Sequence, residues 1–263
     1  MNSSADSAYI VTGTTRGLGR ALARAVRERG KLLFTISRSP QVHEGRWHNY
    51  ACDLRQPDQI QRAMADLMQA IGRERCHDIL LINNAGVLSP IGPIENAADD
   101  RIEGHFAVNL QAPALLIAHF IRAAGRFSGR RRIINITSGA GENAYAGWAP
   151  YCAAKAALNM LTACVALEQS EQERPVSICA VAPGVVDTDM QLEIRRTSRA
   201  EFPKRKKFQE LYASGRLAAP EQVAHLILDL DEGGLLASGA LYDLRDVRPR
   251  PGGGWEVRRR NLP

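Results

Sequence analysis

The chain has 263 residues, of which 45% are hydrophobic and 24% are charged. This length and composition exclude an intrinsically disordered protein and fit one soluble α/β domain with a sizeable core. The first residues carry no basic, apolar leader, and no stretch approaches the roughly 18 uninterrupted apolar residues of a membrane span, so we expect neither export nor membrane insertion. Five cysteines without a CxxC pair argue against a disulfide framework and favour a reducing, cytoplasmic location.

The net charge of +6 is concentrated near the C-terminus. Residues 245–263 hold six arginines and two acids, a balance of +4, which leaves +2 for residues 1–244. The proline and glycine content of residues 245–263 predicts no regular structure, so we expect a folded domain over 1–244 and a basic tail. The tail is interpreted as a solvated extension, with docking on an acidic or phosphate-rich partner as the alternative. Because the excess charge lies in this tail, we expect no nucleic-acid partner.

Short apolar runs rich in β-branched residues alternate along the chain with longer amphipathic segments. Strands are predicted at residues 8–12, 32–37, 49–52, 79–83, 133–137, 176–181 and 241–244. Helices are predicted between them at residues 17–29, 57–71, 99–124, 149–171 and 220–230. This alternation predicts a doubly wound α/β fold of the Rossmann type: a parallel sheet of about seven strands with helices on both faces, in a single domain.

Residues 185–217 differ from the rest because they are polar and follow a strand without forming a compact crossover. They contain the basic run Pro203-Lys204-Arg205-Lys206-Lys207. An insertion beyond the carboxyl end of a strand lies where open α/β sheets bind ligands, so we interpret this segment as a lid over the site. The basic run is interpreted as a solvated helix face, with contact to a substrate or cofactor phosphate as the alternative.

Glycines recur in the segment that follows the first predicted strand and opens the first predicted helix. The sequence there is TGTTRGLG, with Gly13, Gly17 and Gly19 in a GxxxGxG spacing. Glycines in this context let backbone N–H groups approach a pyrophosphate at the N-terminus of the helix. The segment therefore predicts a dinucleotide site; a glycine-rich turn without a ligand is the alternative.

The end of the second predicted strand distinguishes the two nicotinamide cofactors. NAD sites place an acid there for the ribose 2′-hydroxyl, whereas a 2′-phosphate requires cations. Ser37 and Arg38 occupy this position, and Arg16 in the glycine segment would reach the same phosphate. The pattern favours NADP(H), although a plain surface cation at Arg38 would look the same. Asp53, after the third predicted strand, suits a bond to the adenine amine and a strand-end cap equally well.

A hydroxyl, a phenol and an ammonium group occur close together in the segment from Ser138 to Lys155. Tyr151 and Lys155 are four residues apart, which places them on one face of a helix. A phenol of pKa about 10 is a poor acid at neutral pH, and a neighbouring cation lowers that pKa. Tyr151 and Lys155 therefore predict a tuned proton donor, with Ser138 as the group that binds a carbonyl oxygen.

By its motifs the chain resembles the short-chain dehydrogenase/reductase family over nearly the whole body, to about Asp246. The motifs occur in the family's order and comprise TGxxxGxG at Gly13, Gly17 and Gly19, NNAG at Asn83, Asn84, Ala85 and Gly86, an active-site asparagine at Asn109, then Ser138, YxxxK at Tyr151 and Lys155, a PG turn at Pro183 and Gly184, and Thr188. The resemblance implies a hydride-transferring oxidoreductase.

Roles for individual residues follow from the same resemblance. The implied catalytic residues are Asn109, Ser138, Tyr151 and Lys155, with Asn109 keeping a water that relays protons to Lys155. The implied NADP(H) contacts are Gly13, Thr15, Arg16, Gly17, Leu18, Gly19, Arg38, Asp53, Leu54, Asn84, Ala85, Gly86, Tyr151, Lys155, Pro183, Gly184, Val186 and Thr188.

Three segments, SGAGENAYAGWAPYCAAKAALNML, APGVVDTDMQ and SGALYDLRD, resemble the sepiapterin reductase branch, which includes the bacterial benzil reductases. This likeness implies reduction of one carbonyl of a vicinal diketone or a pterin-like side chain with NADPH. It also implies that Asp243 anchors the substrate, although a strand-end role fits Asp243 equally well. We expect the substrate to contact Ser138, Tyr145, Trp148, Tyr151, Met190 and Asp243, with core packing as the alternative for Tyr145, Trp148 and Met190.

Two other functions fit the sequence less well. A different reductase of the family, acting on 3-oxoacyl or steroid substrates, would use the basic run to meet a phosphopantetheine. A non-enzymatic NADP-sensing scaffold would be expected to lose Tyr151 or Lys155, and both are present. No HxxxH pair occurs among the six histidines, so we expect no metal. The apolar helices at 99–124 and 149–171 favour a homodimer or homotetramer.

Overall fold

A nine-stranded sheet runs through the centre of the protein in the computed structural model, which describes residues 6–40, 42–74 and 76–261. The strands are β1 Asp6–Thr12, β2 Leu32–Ser37, β3 Val42–Glu44, β4 Trp47–Ala51, β5 Cys76–Asn83, β6 Arg131–Ile136, β7 Ser177–Ala182, β8 Ala240–Asp243, β9 Arg248–Pro249, β10 Trp255–Glu256 and β11 Arg259–Asn261. The helices are α1 Gly17–Glu28, α2 Pro57–Arg73, α3 Asp99–Phe106, α4 Ala112–Ala124, α5 Ala149–Ser170, α6 Asp189–Arg196, α7 Arg205–Ala213 and α8 Pro220–Glu232.

The strand order of the large sheet is β11-β8-β7-β6-β5-β1-β2-β4-β3. All seven predicted strands are confirmed and pair in parallel, from β8 through β1 to β4. From β1 the chain builds outward through β2 and β4, and it then returns to start again at β5 on the other side. The carboxyl ends of β1 and β5 therefore flank the switch point at which open α/β sheets bind ligands.

Side chains alternate between the two faces of the sheet, and each face has its own core. Along β1, Ile10 packs with α2 and α4 residues such as Leu67 and Phe120 on one face. Val11 packs with Leu22 of α1 and with α8 on the other face. This two-sided burial explains why the strands are continuous apolar runs.

The predicted helix at residues 99–124 is interrupted, which corrects the sequence-based expectation. A π-helical turn, Ala107–Gln111, separates α3 from α4. Pro113 lacks the N–H that would bond to the carbonyl of Asn109 in a regular α-helix. Within the turn, the Asn109 side chain bonds to backbone groups of Val87 and His105. π-helical turns of this kind are frequent at functional sites.

The segment after Asp246 is regular, so the prediction of a tail without secondary structure is wrong. β9 and β10 form a small antiparallel hairpin, and β11 adds an antiparallel strand to β8 at the edge of the sheet. The turn of the hairpin uses Gly252, Gly253 and Gly254 at positive φ, a conformation that glycine adopts at low cost. Glycine therefore promotes the return of the chain here rather than disorder.

Two helical stretches, Asp99–Ala124 and Ala149–Ser170, are long and apolar enough to cross a membrane by length and composition alone. This is weak evidence, because core helices of soluble proteins pass the same test. In this fold α4 packs on α2 and β5, and α5 packs on β7. The expectations of no membrane partner, a cytoplasmic location and a homodimer or homotetramer remain predictions.

Candidate active site

The loop after β1 is packed so closely that only glycine fits at two of its positions. A Cβ atom on Gly19 would lie 2.1 Å from the carbonyl oxygen of Gly13, and a Cβ on Gly13 would lie 2.8 Å from the Cα of Ala85. Gly13 and Gly17 also have positive φ angles, of 70° and 53°. The glycine spacing therefore brings the loop, α1 and the loop after β5 into backbone contact.

The N-terminus of α1 is suited to an anion. Arg16 precedes the helix with extended backbone, and no side chain caps the first turn. The backbone N–H groups of the first turn of α1 can therefore bind a ligand such as a pyrophosphate. Thr15 and Arg16 are exposed beside this turn, whereas Leu18 is buried against the sheet. The residues present fit the phosphates of a dinucleotide.

Four hydrogen bonds join the loop after β5 to Thr12 at the end of β1 and to the following residue, Gly13. The backbone N–H groups of Asn84 and Ala85 each donate to the Thr12 hydroxyl at 3.0 Å. The Asn84 side chain donates to the carbonyls of Thr12 and Gly13, at 2.9 and 3.3 Å. A Cβ on Gly86 would lie 2.9 Å from Oδ1 of Asn109. The NNAG motif thus joins the glycine loop to the predicted catalytic residues.

The structure brings Ser138, Tyr151 and Lys155 together. Tyr151 and Lys155 lie on α5 and are both buried, and the Lys155 ammonium is 5.8 Å from the centroid of the Tyr151 ring. Ser138 follows β6 and forms a side-chain hydrogen bond with Tyr151. Lys155 also donates to the carbonyl of Ile136 at 2.9 Å. The expected helical spacing of Tyr151 and Lys155 is confirmed.

The prediction that Lys155 lowers the pKa of Tyr151 is wrong in this structure. Burial is the largest influence and raises the pKa of the Tyr151 phenol, while the hydrogen bond with Ser138 acts in the opposite direction. Burial also lowers the pKa of Lys155 to about 8. The neighbouring charge of Lys155 can be read from the sequence, whereas the loss of water around both groups depends on how the chain packs. At neutral pH Tyr151 is therefore a protonated donor.

Asn109 occupies the centre of the π-helical turn and is fully buried. Its amide group donates to the carbonyls of Val87 and His105, and its Oδ1 accepts from the N–H of Val87. These bonds hold the side chain against the loop that contains Gly86, near Lys155. The water relay implied by the family resemblance remains a prediction.

Several charged side chains meet where the adenosine end of a dinucleotide would lie. Arg38 is exposed just after β2, and Leu54 is buried beside Asp53. The carboxylate of Asp53 accepts three side-chain hydrogen bonds from Arg55, at 2.6 to 3.1 Å. These bonds and the charge of Arg38 lower the pKa of Asp53. This arrangement matches the interpretation of Asp53 as a strand-end cap. A hydrogen bond between Asp53 and the adenine amine stays a prediction.

The loop after β7 reaches back over the glycine segment. Gly184, in the predicted PG turn with Pro183, has a φ of 79°. Val186 is buried and bridges to Ala218, which closes the base of the predicted lid. A Cβ on Gly17 would lie 3.2 Å from the methyl group of Thr188, so the two predicted cofactor loops touch.

An aromatic cluster connects the catalytic tyrosine to the predicted lid. Trp148 stacks on Phe202 at a centroid distance of 4.3 Å and meets Tyr151 edge-on at 5.8 Å. Tyr145 and Met190 pack against this cluster and are half-buried. Trp148 is 4% exposed, which fits the packing alternative better than a pocket-lining role. Contact of Tyr145 and Met190 with substrate stays a prediction.

Asp243 does not fit its predicted role as a substrate anchor. Its side chain has no exposed surface and accepts hydrogen bonds from Nε and Nη2 of Arg245, at 2.9 and 2.5 Å. Arg260 of β11 approaches the same carboxylate at 3.5 Å. Arg245 is only two residues from Asp243 along the chain, whereas no local sequence pattern indicates the approach of Arg260. The structure instead brings Arg245 to the site, because a Cβ on Gly139 would lie 3.5 Å from its Nη2.

Sequence reasoning also missed three residues that support or lie in the loop after Ser138. Thr137 donates to Oδ1 of Asn159 at 2.7 Å, and a Cβ on Gly141 would lie 2.8 Å from Nδ2 of Asn159. Asn159 follows Lys155 by four residues, so helical spacing was a usable signal. Glu142 in the same loop pairs with Arg260 at 2.9 Å, and no local sequence pattern indicates that contact.

Within residues 6–40, 42–74 and 76–261, no group of three or more His, Cys, Asp or Glu side chains could hold a metal ion.

The profile of the short chain dehydrogenase family matches residues 7–199, which include every catalytic position described above. The chain belongs to the short-chain dehydrogenase/reductase family. It is 36% identical over 239 residues to a benzil reductase ((S)-benzoin forming) of Bacillus subtilis, covering 90% of this chain and 98% of the relative. The benzil reductase of Bacillus cereus is 38% identical over 231 residues, covering 85% and 93%. A sepiapterin reductase of Rattus norvegicus is 30% identical over 258 residues, covering 90% and 96%.

Solved structures of short-chain dehydrogenases share the fold. The crystal structure of the enzyme KRED1-Pglu superposes with a TM-score of 0.76 at 27% identity, covering 88% of this chain and 98% of that one. A variant of actinorhodin polyketide ketoreductase, solved with NADPH, gives a TM-score of 0.69 at 25% identity, covering 85% and 89%. The protein is therefore an oxidoreductase of the benzil and sepiapterin reductase-like branch, uses a nicotinamide cofactor and reduces a carbonyl group.

Proposed function

We propose that this protein is an NADPH-dependent reductase of vicinal diketones in which Tyr151 donates the proton. The observation that carries the proposal is the buried, protonated phenol of Tyr151 hydrogen-bonded to Ser138, with Lys155 on the same helix. The carbonyl oxygen of the substrate accepts hydrogen bonds from both hydroxyl groups. These donors stabilise the negative charge that develops on that oxygen during reduction.

When bound, NADPH would supply the hydride. The residues of this chain position the reaction and move the proton. Tyr151 transfers its proton to the carbonyl oxygen, and Lys155, whose pKa burial lowers to about 8, is close enough to its titration point to return a proton to the site. Asn109 holds the loop at Gly86 beside Lys155.

The preference for the 2′-phosphate is supported by the cations at the adenosine end. Arg16, Arg38 and Arg55 lie on the loops after β1, β2 and β4, and Asp53 is engaged by Arg55. Arg16 pairs weakly with Asp189 of α6, at 3.7 Å and with both side chains mostly exposed, so it is available to a phosphate. A diketone substrate is supported by the two benzil reductase relatives.

A second candidate, reduction of a 3-oxoacyl thioester, is favoured by the exposed lysines of the basic run, which lie beside Tyr145. The test is to mix the purified protein with benzil, an acetoacetyl thioester and either NADPH or NADH, and to follow cofactor absorbance. We expect turnover of benzil with NADPH at a kcat/KM at least tenfold above that with NADH. Faster turnover of the thioester would favour the second candidate, and no cofactor oxidation with any carbonyl would refute both.

A further inference from the structure

Three cations surround Tyr145 at the rim of the substrate site. The ammonium groups of Lys204 and Lys207 lie 5.0 and 5.9 Å from the centroid of the Tyr145 ring. The guanidinium of Arg245 lies near enough to the Tyr145 phenol to interact with it electrostatically. The basic run and the C-terminal segment, far apart in sequence, therefore meet at one aromatic ring.

This group of cations exceeds the negative charge around it. Among the residues that the structure describes, neither Lys204 nor Lys207 forms an ion pair, whereas Lys206 of the same run pairs with Glu210 at 3.8 Å. Arg245 is paired on one edge by Asp243, and its Nη1 donates no hydrogen bond within the described chain.

The other carboxylates near this rim are already engaged. Glu142 and Asp246, which also acts electrostatically on Arg245, both pair with Arg260, at 2.9 and 2.5 Å. Glu201 accepts a hydrogen bond from the backbone N–H of Ser198 at 3.1 Å. Two lysines and one edge of an arginine are left to face a ligand.

The cations are also within reach of the reaction centre. The ring centroids of Tyr145 and Trp148 are 5.1 Å apart, and those of Trp148 and Tyr151 are 5.8 Å apart. Only the Trp148 ring therefore separates Tyr145 from the proton donor. Arg245 lies beside Gly139, the residue after Ser138. A substrate with its carbonyl at Tyr151 would extend its far end toward these three cations.

We propose that the substrate of this protein is a ketone that also carries an anionic group, a carboxylate or a phosphate, which binds between Lys204, Lys207 and Arg245. The inference rests on the proposed function, because it assigns the far end of a substrate whose carbonyl meets Tyr151. Charge-assisted hydrogen bonds from ammonium and guanidinium groups favour such an anion, and an uncharged diketone such as benzil leaves them unused.

The test compares three diketones with NADPH: benzil, benzil with a para carboxylate on one ring, and benzil with a para phosphate ester on one ring. We expect kcat/KM to rise on the order of tenfold from benzil to the better of the two anions, because several exposed cations act together. This gain in kcat/KM should decrease as salt is added, since salt screens the attraction between the anion and cations at the protein surface. The larger of the two gains identifies the anion.

The basic run provides a matched control. In the double variant Lys204→Gln/Lys207→Gln the ratio of kcat/KM for the anionic diketone to that for benzil should fall close to one, whereas Lys206→Gln should keep the wild-type ratio. Equal kcat/KM for benzil and both anions in the wild type would overturn the inference, as would an equal loss of the ratio in Lys206→Gln. Wild-type turnover of benzil tests the proposed function separately, so the two failures are distinguishable.

Discussion

The two halves of the active site are held together by different kinds of contact. The cofactor half, residues 12–19 and 83–86, is fixed by contacts in which at least one partner is a backbone group, such as the approach of Gly19 to the Gly13 carbonyl and the bond from the Asn84 side chain to the carbonyl of Thr12. The substrate half, residues 139–148, 185–217 and 243–260, is fixed by side chains, such as the stack of Trp148 on Phe202 and the ion pair of Arg260 with Glu142.

This difference determines how each half can change. Backbone contacts between short loops require glycine or asparagine at set positions, so the cofactor half tolerates little substitution. Side-chain contacts such as the Arg260–Glu142 pair join residues more than a hundred positions apart, and another pair of residues could replace them. We therefore expect substitutions in the cofactor half to be tolerated poorly and substitutions in the substrate half to change specificity.

The largest effect is expected at the junction of the two halves. Tyr151→Phe removes the proton donor and should lower kcat for benzil by about 10²- to 10⁴-fold, the usual contribution of a positioned general acid. NADPH affinity should change little, because the ring and its packing remain. Steady-state kinetics and a cofactor titration measure the two quantities.

Tyr212→Phe is the matched control, because this phenol is exposed on α7 and its ring stays under Arg195. We expect a kcat within a factor of two of the wild type, since substitutions of exposed side chains away from the core and the catalytic residues act weakly. A Tyr151→Phe variant as active as Tyr212→Phe would remove the proton donor from the mechanism.

The next effect concerns Lys155 and pH. Burial lowers the pKa of Lys155 to about 8. The unfolded chain therefore binds more protons than the folded one between pH 8 and the ordinary lysine pKa of about 10.4, so folding becomes more favourable as pH rises through that window. The free energy of unfolding of the wild type, relative to Lys155→Met, should increase by on the order of 3 kcal/mol across it.

Urea titrations of both proteins at several pH values measure this difference, and groups other than Lys155 cancel in the comparison. Below pH 8 the ammonium is charged in both states and the wild type bears the full cost of burying it. A difference that does not vary with pH would mean that the buried lysine keeps its ordinary pKa.

The smallest effect probes the backbone packing of the cofactor half. Gly19→Ala places a methyl group against the Gly13 carbonyl and should destabilise the fold by about 1–3 kcal/mol, as overpacking does. It should also weaken NADPH binding, because the N-terminus of α1 must shift. Urea denaturation and calorimetric titration with NADPH provide the readouts.

Gly125→Ala serves as its partner, since a Cβ there meets open space and the φ angle of −58° suits alanine. We expect its stability to stay within about 0.5 kcal/mol of the wild type. If Gly19→Ala bound NADPH as tightly as Gly125→Ala, the close backbone packing would have no role in holding the cofactor.

Much of the fold could be predicted because its signals are local. The seven parallel strands are apolar runs with cores on both faces, and each was found within a few residues. β3 is short and wholly exposed, and β11 is rich in arginine, so neither has the hydrophobic pattern from which strands are predicted. The π-helical turn was missed although Pro113, which has no N–H to donate to the carbonyl of Asn109, was a local signal for an interruption.

The sequence by itself determined the family, the glycine loop and the pairing of Tyr151 with Lys155, since spacing along the chain is enough to specify a backbone contact or a helix face. Only the tertiary structure decided that burial raises the pKa of Tyr151, that Asp243 pairs with Arg245, and that Lys204 and Lys207 lie beside the Tyr145 ring whereas Lys206 pairs with Glu210. These properties depend on burial and on the direction of side chains, which arise when distant segments pack together.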